Sequence, residues 1–357
     1  MTTTLPAELA RLGWDRSFAE AFDAVAAPGL VPARVGVEHN HLYRVFTDGG
    51  ELLAQAAGSL RHAAAGADAL PAVGDWVAVR AGAARRATIR AVLPRRSCFA
   101  RKAAGDPTRR QVVAANVDTV FLVAGLDGDF SPRRVQRYLA AAAESGAAPV
   151  VVLNKTDVCD GVRDAVDAIR AVAPRVPLHA TSCTAERGLD ALAAYLTGGR
   201  TVALLGSSGV GKSTIVNRLL GVERQRTRSV RRGDSRGRHT TVHRELLVRP
   251  DGGVIIDTPG MRELQLWDTD RALEDVFDDI EALAGDCRFR DCRHRSEPGC
   301  AVRGAVAEGR LAASRLAHFQ RLDDERAELQ ARRERLERMA EQRRPGAGRR
   351  SRRLPES

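Results

Sequence analysis

Long apolar runs and aromatic side chains are scarce in this 357-residue sequence. No stretch approaches the roughly 18 consecutive apolar residues that a membrane helix needs, so we expect no contact with a membrane. The N-terminus lacks a basic region followed by an apolar core, so the sequence predicts no export and a cytoplasmic location. Aromatic residues make up only 4% of the chain, which argues against extensive stacking of nucleic-acid bases on aromatic rings.

Lysine is also nearly absent, although the chain is strongly basic. The 56 Lys and Arg residues include only three lysines, Lys102, Lys155 and Lys212. Lys carries a compact ammonium, whereas Arg carries a planar guanidinium. A Lys retained in such a composition therefore marks a site where a guanidinium does not fit. The net charge of +11 favours a polyanionic partner, most often nucleic acid, bound mainly through phosphates and therefore sensitive to salt.

Cysteines are few, and three of the six are scattered. The other three follow the pattern Cys287-x4-Cys292-x-His294-x5-Cys300, within 14 residues. In a reducing cytosol such a cluster favours a metal site over disulfides. Three thiolates and one imidazole form a closed tetrahedral set, which is typical of one structural Zn²⁺ rather than of a catalytic ion. The alternative is a group of unrelated reduced cysteines.

Turn residues and hydrophobic patterns divide the chain into segments. Between residues 33 and 100, short alternating segments separated by Gly, Asp and Pro predict about five strands and a small β-barrel of the OB-fold type. After Gln111, apolar strands alternate with helices, which is the rhythm of a parallel sheet covered on both faces. The predicted segments are a leader over 1–32, the OB-fold barrel over 33–107, an α/β domain over 108–270, a helical zinc-binding domain over 271–330 and an Arg-rich tail over 331–357.

Two of the predicted helices carry clear local signals. An amphipathic stretch from about Arg16 to Ala26 precedes a Pro-Gly turn, which predicts a helix in the leader. Ser131 and Pro132 supply an N-cap and a first-turn proline for a helix through Glu144.

A glycine-rich segment follows the predicted strand 201–205 and opens a helix. In that context its spacing predicts a P-loop, whose backbone N–H groups face the β-phosphate of a nucleotide. Lys212 then reaches the β- and γ-phosphate oxygens, and the Ser213 hydroxyl ligates Mg²⁺. The residues predicted to bind the phosphates here are Gly206, Ser207, Ser208, Gly209, Val210, Gly211, Lys212, Ser213 and Thr214.

A second phosphate motif, Asp257-Thr258-Pro259-Gly260, follows three apolar residues about 45 positions after the P-loop. An Asp at a strand end can hold Mg²⁺ through water, and the Gly260 N–H can donate to a γ-phosphate. Alone the motif is a common turn, but after a P-loop it predicts a Walker B segment and the second switch.

The tetrad Asn154-Lys155-Thr156-Asp157 follows a buried strand and predicts which base is bound. The Asp157 carboxylate can accept both the N1–H and the 2-amino group of guanine, a pair that adenine does not offer, so we expect GTP and GDP rather than ATP. Asn154 and the Lys155 stem are expected to brace the loop and cover the ring. The residues predicted to bind the base are Asn154, Lys155, Thr156, Asp157, Thr181 and Ser182.

The order of these motifs is unusual. In most GTPases the P-loop comes first, whereas here the guanine-selecting tetrad precedes it by about 50 residues. The sequence therefore predicts a circularly permuted P-loop GTPase domain over 108–270. Its last segment leads directly into the Cys/His cluster, so we expect the nucleotide state to reach that cluster through a short tether.

The predicted first switch lies between residues 221 and 245. A Thr there completes the Mg²⁺ shell when a γ-phosphate is present, and we favour Thr241 over Thr240. Met261 stands where many small GTPases carry a water-orienting Gln, so we expect slow intrinsic hydrolysis. His239 is the nearest candidate to position the water as a catalytic residue, and the alternative is an exposed loop histidine.

The motifs NKTD, TSC, GSSGVGKST, GRHTT, DTPG and C-x4-C-x-H-x5-C, in this order after a small barrel, resemble the ribosome small-subunit-dependent GTPase A (RsgA type) family. The resemblance runs from about Ala33 to Phe319 and includes GDWV in the barrel and AANVD before the GTPase domain. It implies a late assembly factor of the 30S subunit, whose GTP hydrolysis is stimulated by the subunit and coupled to release. It also implies that the barrel and the zinc domain bind 16S rRNA, and that His239 matters for hydrolysis.

Two other functions remain open at the level of sequence. One is a nucleotide-gated RNA-binding module whose hydrolysis is incidental, and the other is a permuted GTPase of the large subunit, which the barrel-then-zinc order disfavours. We expect a monomer. The leader and the Arg-rich tail have no assigned role, and the tail is interpreted either as a disordered segment or as an RNA contact.

Overall fold

A computed structural model of the chain describes residues 6–39, 41–64, 66–103, 106–128, 130–221, 244–257 and 277–313, with separate positions between 315 and 338. Across these residues, none of the helices has the length and apolar character that a bilayer crossing requires.

Five short strands form a closed barrel near the N-terminus. They are β1 (Leu30–His39), β2 (Leu42–Thr47), β3 (Gly50–Ala56), β4 (Trp76–Ala81) and β5 (Arg86–Val92), with the short helix α3 (Gly58–Ala63) between β3 and β4. The strands pair in the order β1-β2-β3-β5-β4, and β4 also pairs with β1, which closes the barrel. Alternate side chains such as Val35, Val45 and Ile89 point inward and are buried together, as the alternating pattern predicts. The predicted five-stranded barrel is therefore confirmed.

A hairpin that sequence reasoning did not identify follows the barrel. Its strands, β6 (Cys98–Ala103) and β7 (Asp106–Ala115), pair only with each other among the described strands. The predicted boundary between residues 107 and 108 falls inside β7. The hairpin therefore links the barrel to the α/β region as an ordered element rather than as a loop.

The central region is an α/β sheet. Its strands are β8 (Thr119–Gly125), β9 (Ala148–Asn154), β10 (Leu178–Ala180), β11 (Thr201–Leu205), β12 (Arg244–Val248) and β13 (Val254–Asp257). The order is β10-β9-β8-β11-β13-β12, and all pairs are parallel except β13 with β12. Every residue of β8 is buried, as expected for a strand covered on both faces.

The helices of this region are α4 (Pro132–Ser145), α5 (Val162–Val172), α6 (Leu189–Ala193) and α7 (Lys212–Leu220). Helix α4 begins as its local signals predict, with the Ser131 side chain accepting from the Arg134 N–H. It ends at Gly146, whose φ of 82° is the left-handed conformation that a C-terminal glycine provides.

The barrel and the α/β sheet are continuous. Strand β12 pairs with β1 in antiparallel fashion, which joins both into one sheet of eleven strands. Two ion pairs support this seam, Arg44 with Glu245 at 2.6 Å and Arg244 with Glu38 at 3.2 Å. The two regions are thereby fixed to each other through backbone and side-chain contacts.

The leader packs into the same junction. It contains α1 (Ala7–Arg11) and α2 (Arg16–Asp23), and the second helix agrees with the helix predicted there. Trp14, between the two helices, lies edge-on against Trp76 of the barrel at 4.7 Å between ring centroids, with Phe18 stacked beside it. The described part of the leader therefore packs onto the folded core.

Arg34 lies at the centre of this junction with 1% of its surface exposed. Its guanidinium donates to four oxygen atoms from distant parts of the chain, Leu12 O, Gly74 O, Asn116 O and Thr201 Oγ1. Burial lowers the pKa of Arg34 to about 10, so the side chain remains charged at neutral pH. One buried cation thus connects the leader, the barrel and the α/β sheet.

Two further helices lie beside the Cys/His cluster, α8 (Asp278–Ala284) and α9 (Ala301–Ala307). Phe277, Ile280 and Val302 are fully buried in a separate apolar cluster there. Arg315 pairs with Asp279 and donates to Val172 O, the last carbonyl of α5, at 2.7 Å. This region therefore has its own core and contacts the α/β domain at the C-terminus of a helix, where a cation is favoured.

Candidate functional site

The carboxyl ends of the parallel strands meet at one edge of the sheet. Gly125 of β8 lies opposite Asn154 of β9, and β11 ends at Leu205, directly before the glycine-rich segment. Asp257 ends β13, which is parallel to β11. The predicted base-binding and phosphate-binding residues therefore share the edge where open α/β sheets bind ligands.

Asn154 connects the two halves of this site. Its side-chain amide donates to Val210 O at 2.9 Å and accepts from Thr181 Oγ1 at 3.2 Å. Asn154 is almost fully buried, so these contacts satisfy polar atoms that water does not reach. One side chain thereby joins the predicted base-binding tetrad, the segment after β10 and the P-loop.

Asp157 lies exposed beside that segment. The Ser182 hydroxyl donates to Asp157 Oδ1 at 2.6 Å, and this hydrogen bond is the main reason why the pKa of Asp157 is lowered. Thr156 Oγ1 donates to Thr181 O at 3.1 Å, which fastens the tetrad to the next strand end. The carboxylate is therefore ionised at neutral pH and held in a defined position, as an acceptor of two N–H groups must be.

Lys155 has a backbone φ of 67°, which is the left-handed conformation and is unusual for a residue with a side chain. Its ammonium forms an ion pair with Asp127, a residue of the loop after β8. Sequence reasoning missed Asp127, because it lies 28 positions before Lys155 and belongs to no recognised motif. The signal that could have identified Asp127 is the parallel pairing of β8 with β9, because it places the loops after these two strands side by side.

At two positions, the glycine-rich segment has a backbone conformation and surroundings that only glycine tolerates. Gly206 has a φ of 154°, and a Cβ there would lie 2.4 Å from Val123 O. Gly211 has a φ of 98°, and a Cβ there would lie 2.2 Å from Asn154 Nδ2. The close approach of this segment to β8 and to the tetrad therefore depends on the missing side chains.

Lys212 begins α7 and folds back over the loop. Its ammonium donates to Gly206 O and Ser207 O, each at 2.6 Å. A second cation, Arg134 of α4, donates to Ser207 Oγ at 2.8 Å, and no sequence motif indicated it. The N-terminus of α7 and the Lys212 ammonium thus both lie against the glycine-rich loop. This is the arrangement that binds phosphate groups.

The predicted magnesium ligands are described only in part. Ser213 lies in the first turn of α7, and half-buried Asp257 ends β13. Thr241 and Gly260 lie outside the described residues, together with the candidate catalytic residue His239.

The four predicted zinc ligands come together in space. One ligand atom from each of Cys287, Cys292, His294 and Cys300 lies within 4.8 Å of the other three. Cys287 Sγ is 3.9 Å from Cys300 Sγ, close to the roughly 3.8 Å that two sulfur ligands of tetrahedral zinc would show. The Nδ1 atom of His294 is 3.4 Å from Cys300 Sγ. The donor set and its dimensions therefore fit a structural zinc ion.

The backbone around His294 is ordered by a neighbouring carboxylate. Glu297 accepts from the backbone N–H groups of Arg293, Arg295 and Ser296. The hydrogen bond from the backbone N–H of Glu297 itself, together with these three, lowers the pKa of Glu297 to about 2. These hydrogen bonds hold the short loop in which His294 adopts a positive φ of 57°.

Comparisons with known proteins agree with this geometry. The sequence profile of the RsgA GTPase family matches residues 92–267. A protein of Opitutus terrae named small ribosomal subunit biogenesis GTPase RsgA is 50% identical over 329 residues, which cover 89% of this chain and 90% of that protein. A protein of Lactiplantibacillus plantarum named small ribosomal subunit biogenesis GTPase RsgA 2 is 45% identical and covers 85% of each chain.

Solved structures give the same fold. The crystal structure of YjeQ from Thermotoga maritima matches with a TM-score of 0.64 and 26% identity, over 83% of this chain and 98% of that chain. YloQ, described as a circularly permuted GTPase, matches with a TM-score of 0.61 over 85% of this chain and 96% of that chain; at 22% identity this likeness concerns the fold alone. The predicted circular permutation is confirmed.

Proposed function

Because this chain belongs to the RsgA GTPase family and is a GTP hydrolase, we propose that it acts in the biogenesis of the small ribosomal subunit. In this proposal the 30S subunit stimulates GTP hydrolysis, and hydrolysis drives release of the protein from the subunit. The observation that carries the nucleotide part is the hydrogen bond from Asn154 to Val210 O, because it unites the base-binding tetrad with the P-loop. The names of the curated relatives support the ribosomal part.

The proposed nucleotide contacts follow from the edge of the sheet. Asp157, held by Ser182, accepts from N1–H and the 2-amino group of guanine, and Lys155 covers the ring. Backbone N–H groups of Gly206–Lys212 and the Lys212 ammonium bind the phosphates. A magnesium ion bound with GTP neutralises phosphate charge, and Ser213, Thr241 and Asp257 are the residues that would hold it.

Hydrolysis requires a group that orients the attacking water. Met261 has no polar atom suited to this task, so we assign it to His239, whose imidazole can accept or donate a proton near neutral pH. Intrinsic hydrolysis is then slow, and contact with the subunit is what brings the water and the γ-phosphate into line.

The zinc and RNA parts of the proposal depend on charge and donor chemistry. Cys287, Cys292, His294 and Cys300 hold one structural Zn²⁺, as their mutual distances support. The net charge of +11 supports phosphate contacts with 16S rRNA from the barrel and the zinc region. The protein acts as a cytoplasmic monomer.

Phosphate release from GTP and from ATP tests the proposal directly. Each rate is measured without addition, with 30S subunits and with 50S subunits, at fixed salt because RNA affinity depends on it. We expect a GTP-only rate that rises many-fold with 30S subunits alone. Stimulation by 50S subunits, or a rate that no subunit changes, would contradict the proposed role while leaving the GTPase activity in place.

A further inference from the structure

We propose that Asp127 is a further positioning residue of the guanine site, one that no nucleotide motif of this chain includes. Its carboxylate holds the Lys155 ammonium so that the methylene stem of the lysine lies ready to cover the base. The inference rests on the proposed function, because it presupposes that Lys155 contacts guanine.

The position of Asp127 is set by the sheet. The Leu126 N–H donates to Asn154 O, at the end of β9, at 2.9 Å, so the backbone pairing continues one residue beyond the end of β8. Asp127 and Lys155 each follow directly after a residue of this pair. Their contact is therefore a consequence of the register between β8 and β9 rather than of a free loop conformation.

The carboxylate of Asp127 also occupies a space that the chain leaves open. A Cβ on Gly125 would lie 2.7 Å from Asp127 Oδ1 and 3.4 Å from the Val210 Cα. Glycine at position 125 thus allows the carboxylate and the P-loop to approach the same point. Asp127 is accordingly placed beside both parts of the nucleotide site.

The chemistry of the pair suits a lysine that must be held in place. Its side chains are 24% exposed for Lys155 and 38% exposed for Asp127, so solvent screens the pair before a nucleotide binds. A bound base removes water from that surface and strengthens the attraction. Asp127 also restricts the rotamers of a long side chain in advance, which lowers the entropy lost on binding.

The two carboxylates near the base have different tasks. Asp157 is engaged by Ser182 and faces the edge that distinguishes guanine from other purines. Asp127 is engaged by Lys155, whose stem contacts the ring face that all purines share. A change at Asp127 must therefore weaken the binding of every purine nucleotide by a similar factor. A change at Asp157 must instead alter the preference between bases.

The test uses the full-length chain and the substitution Asp127→Ala. We expect the Kd for GDP and for XDP to rise by about fivefold each, mainly through faster dissociation, with the preference for guanine unchanged. Asp127→Glu retains the carboxylate and should restore most of the affinity. In a Lys155→Met background, Asp127→Ala should add no further loss, because the partner is already missing.

Asp167→Asn, on an exposed position of α5, serves as the matched control and should bind GDP like the unaltered chain. Thermal unfolding of each variant identifies a loss that comes from misfolding. Unchanged GDP affinity in Asp127→Ala, a full further loss in the Lys155→Met background, or an altered base preference would overturn the role of Asp127. If the unaltered chain binds ADP as well as GDP, or Asp157→Asn gains no affinity for XDP relative to GDP, the proposed base site itself fails.

Discussion

Two regions of this molecule each place several polar atoms around a centre of their own. The Cys/His cluster brings together four ligand atoms whose chemistry fits a metal ion. The junction of leader, barrel and α/β sheet surrounds the buried guanidinium of Arg34 with four oxygen atoms. In the first region the proposed central cation is supplied from solution, and in the second it is part of the chain.

The two regions differ in how far apart their members lie along the chain. The cluster uses residues within 14 positions, from Cys287 to Cys300. The acceptors of Arg34 are separated from it by 22, 40, 82 and 167 residues. A local site can assemble whether or not the rest has folded, whereas the Arg34 shell exists only after three parts of the chain have docked. A change in the Cys/His cluster should therefore affect local order, whereas a change at Arg34 should affect the docking of the three parts of the chain.

Removal of the metal should have the largest effect, and a local one. In Cys292→Ser the zinc content should fall from one ion per chain to nearly none, because structural zinc in small peptides contributes about 10 kcal/mol or more. Hydrogen exchange in residues 277–313 should accelerate, while GDP binding persists. Metal analysis and exchange measurements check this, with Cys159→Ser as the control. A full zinc complement in Cys292→Ser would refute the proposed ligand set.

Removal of the guanidinium should have a smaller but more widespread effect. Arg34→Met leaves buried oxygen atoms without their donor, so we expect the free energy of unfolding to fall by about 3 kcal/mol. Exchange should increase in the leader, the barrel and β11 together. Chemical denaturation measures the loss, and Arg16→Met, whose side chain is 92% exposed, provides the comparison. A loss below about 1 kcal/mol would mean that docking does not depend on Arg34.

A substitution of Asp15, a partly exposed residue at the edge of the same junction, should have the smallest effect. Asp15 caps α2 by accepting from Ser17 and Phe18 N–H groups, and it also pairs with Arg96. Replacing Asp15 with Ala should cost about 1 kcal/mol at neutral pH, as for other helix caps. Thermal unfolding checks this value, and Asp15→Asn, which keeps the cap without the charge, should lose less.

The pH dependence of that effect has a defined sign. Partial burial opposes ionisation of Asp15, but the Arg96 contacts and the two backbone N–H groups together lower its pKa. The stabilisation by the carboxylate is therefore present above the unfolded pKa of about 3.9 and disappears as pH falls through the lower folded value. The difference in unfolding free energy between Asp15→Asn and the unaltered chain should thus shrink at acidic pH. A difference that grows on acidification would contradict this assignment.

Much of the fold could be predicted where the signal is local. The short segments that contain Val35 and Val45, separated by turn residues, indicated barrel strands, and the Ser131 cap set the start of α4. The hairpin β6–β7 was missed, since its strands lack the clean alternation of the barrel. Arg34 was not singled out either, because nothing near it in sequence indicates that four distant oxygen atoms will surround it.

By itself the sequence determined which chemistry this protein carries. The glycine-rich loop, the predicted base-binding tetrad and the Cys/His spacing each need only a few nearby residues. The position of the tetrad before the loop also indicated the permutation. Only the tertiary structure decided that Asp127 meets Lys155 and that Arg34 joins three parts of the chain. The physical reason is that such contacts depend on strand register and domain docking, which are set by packing over the whole molecule.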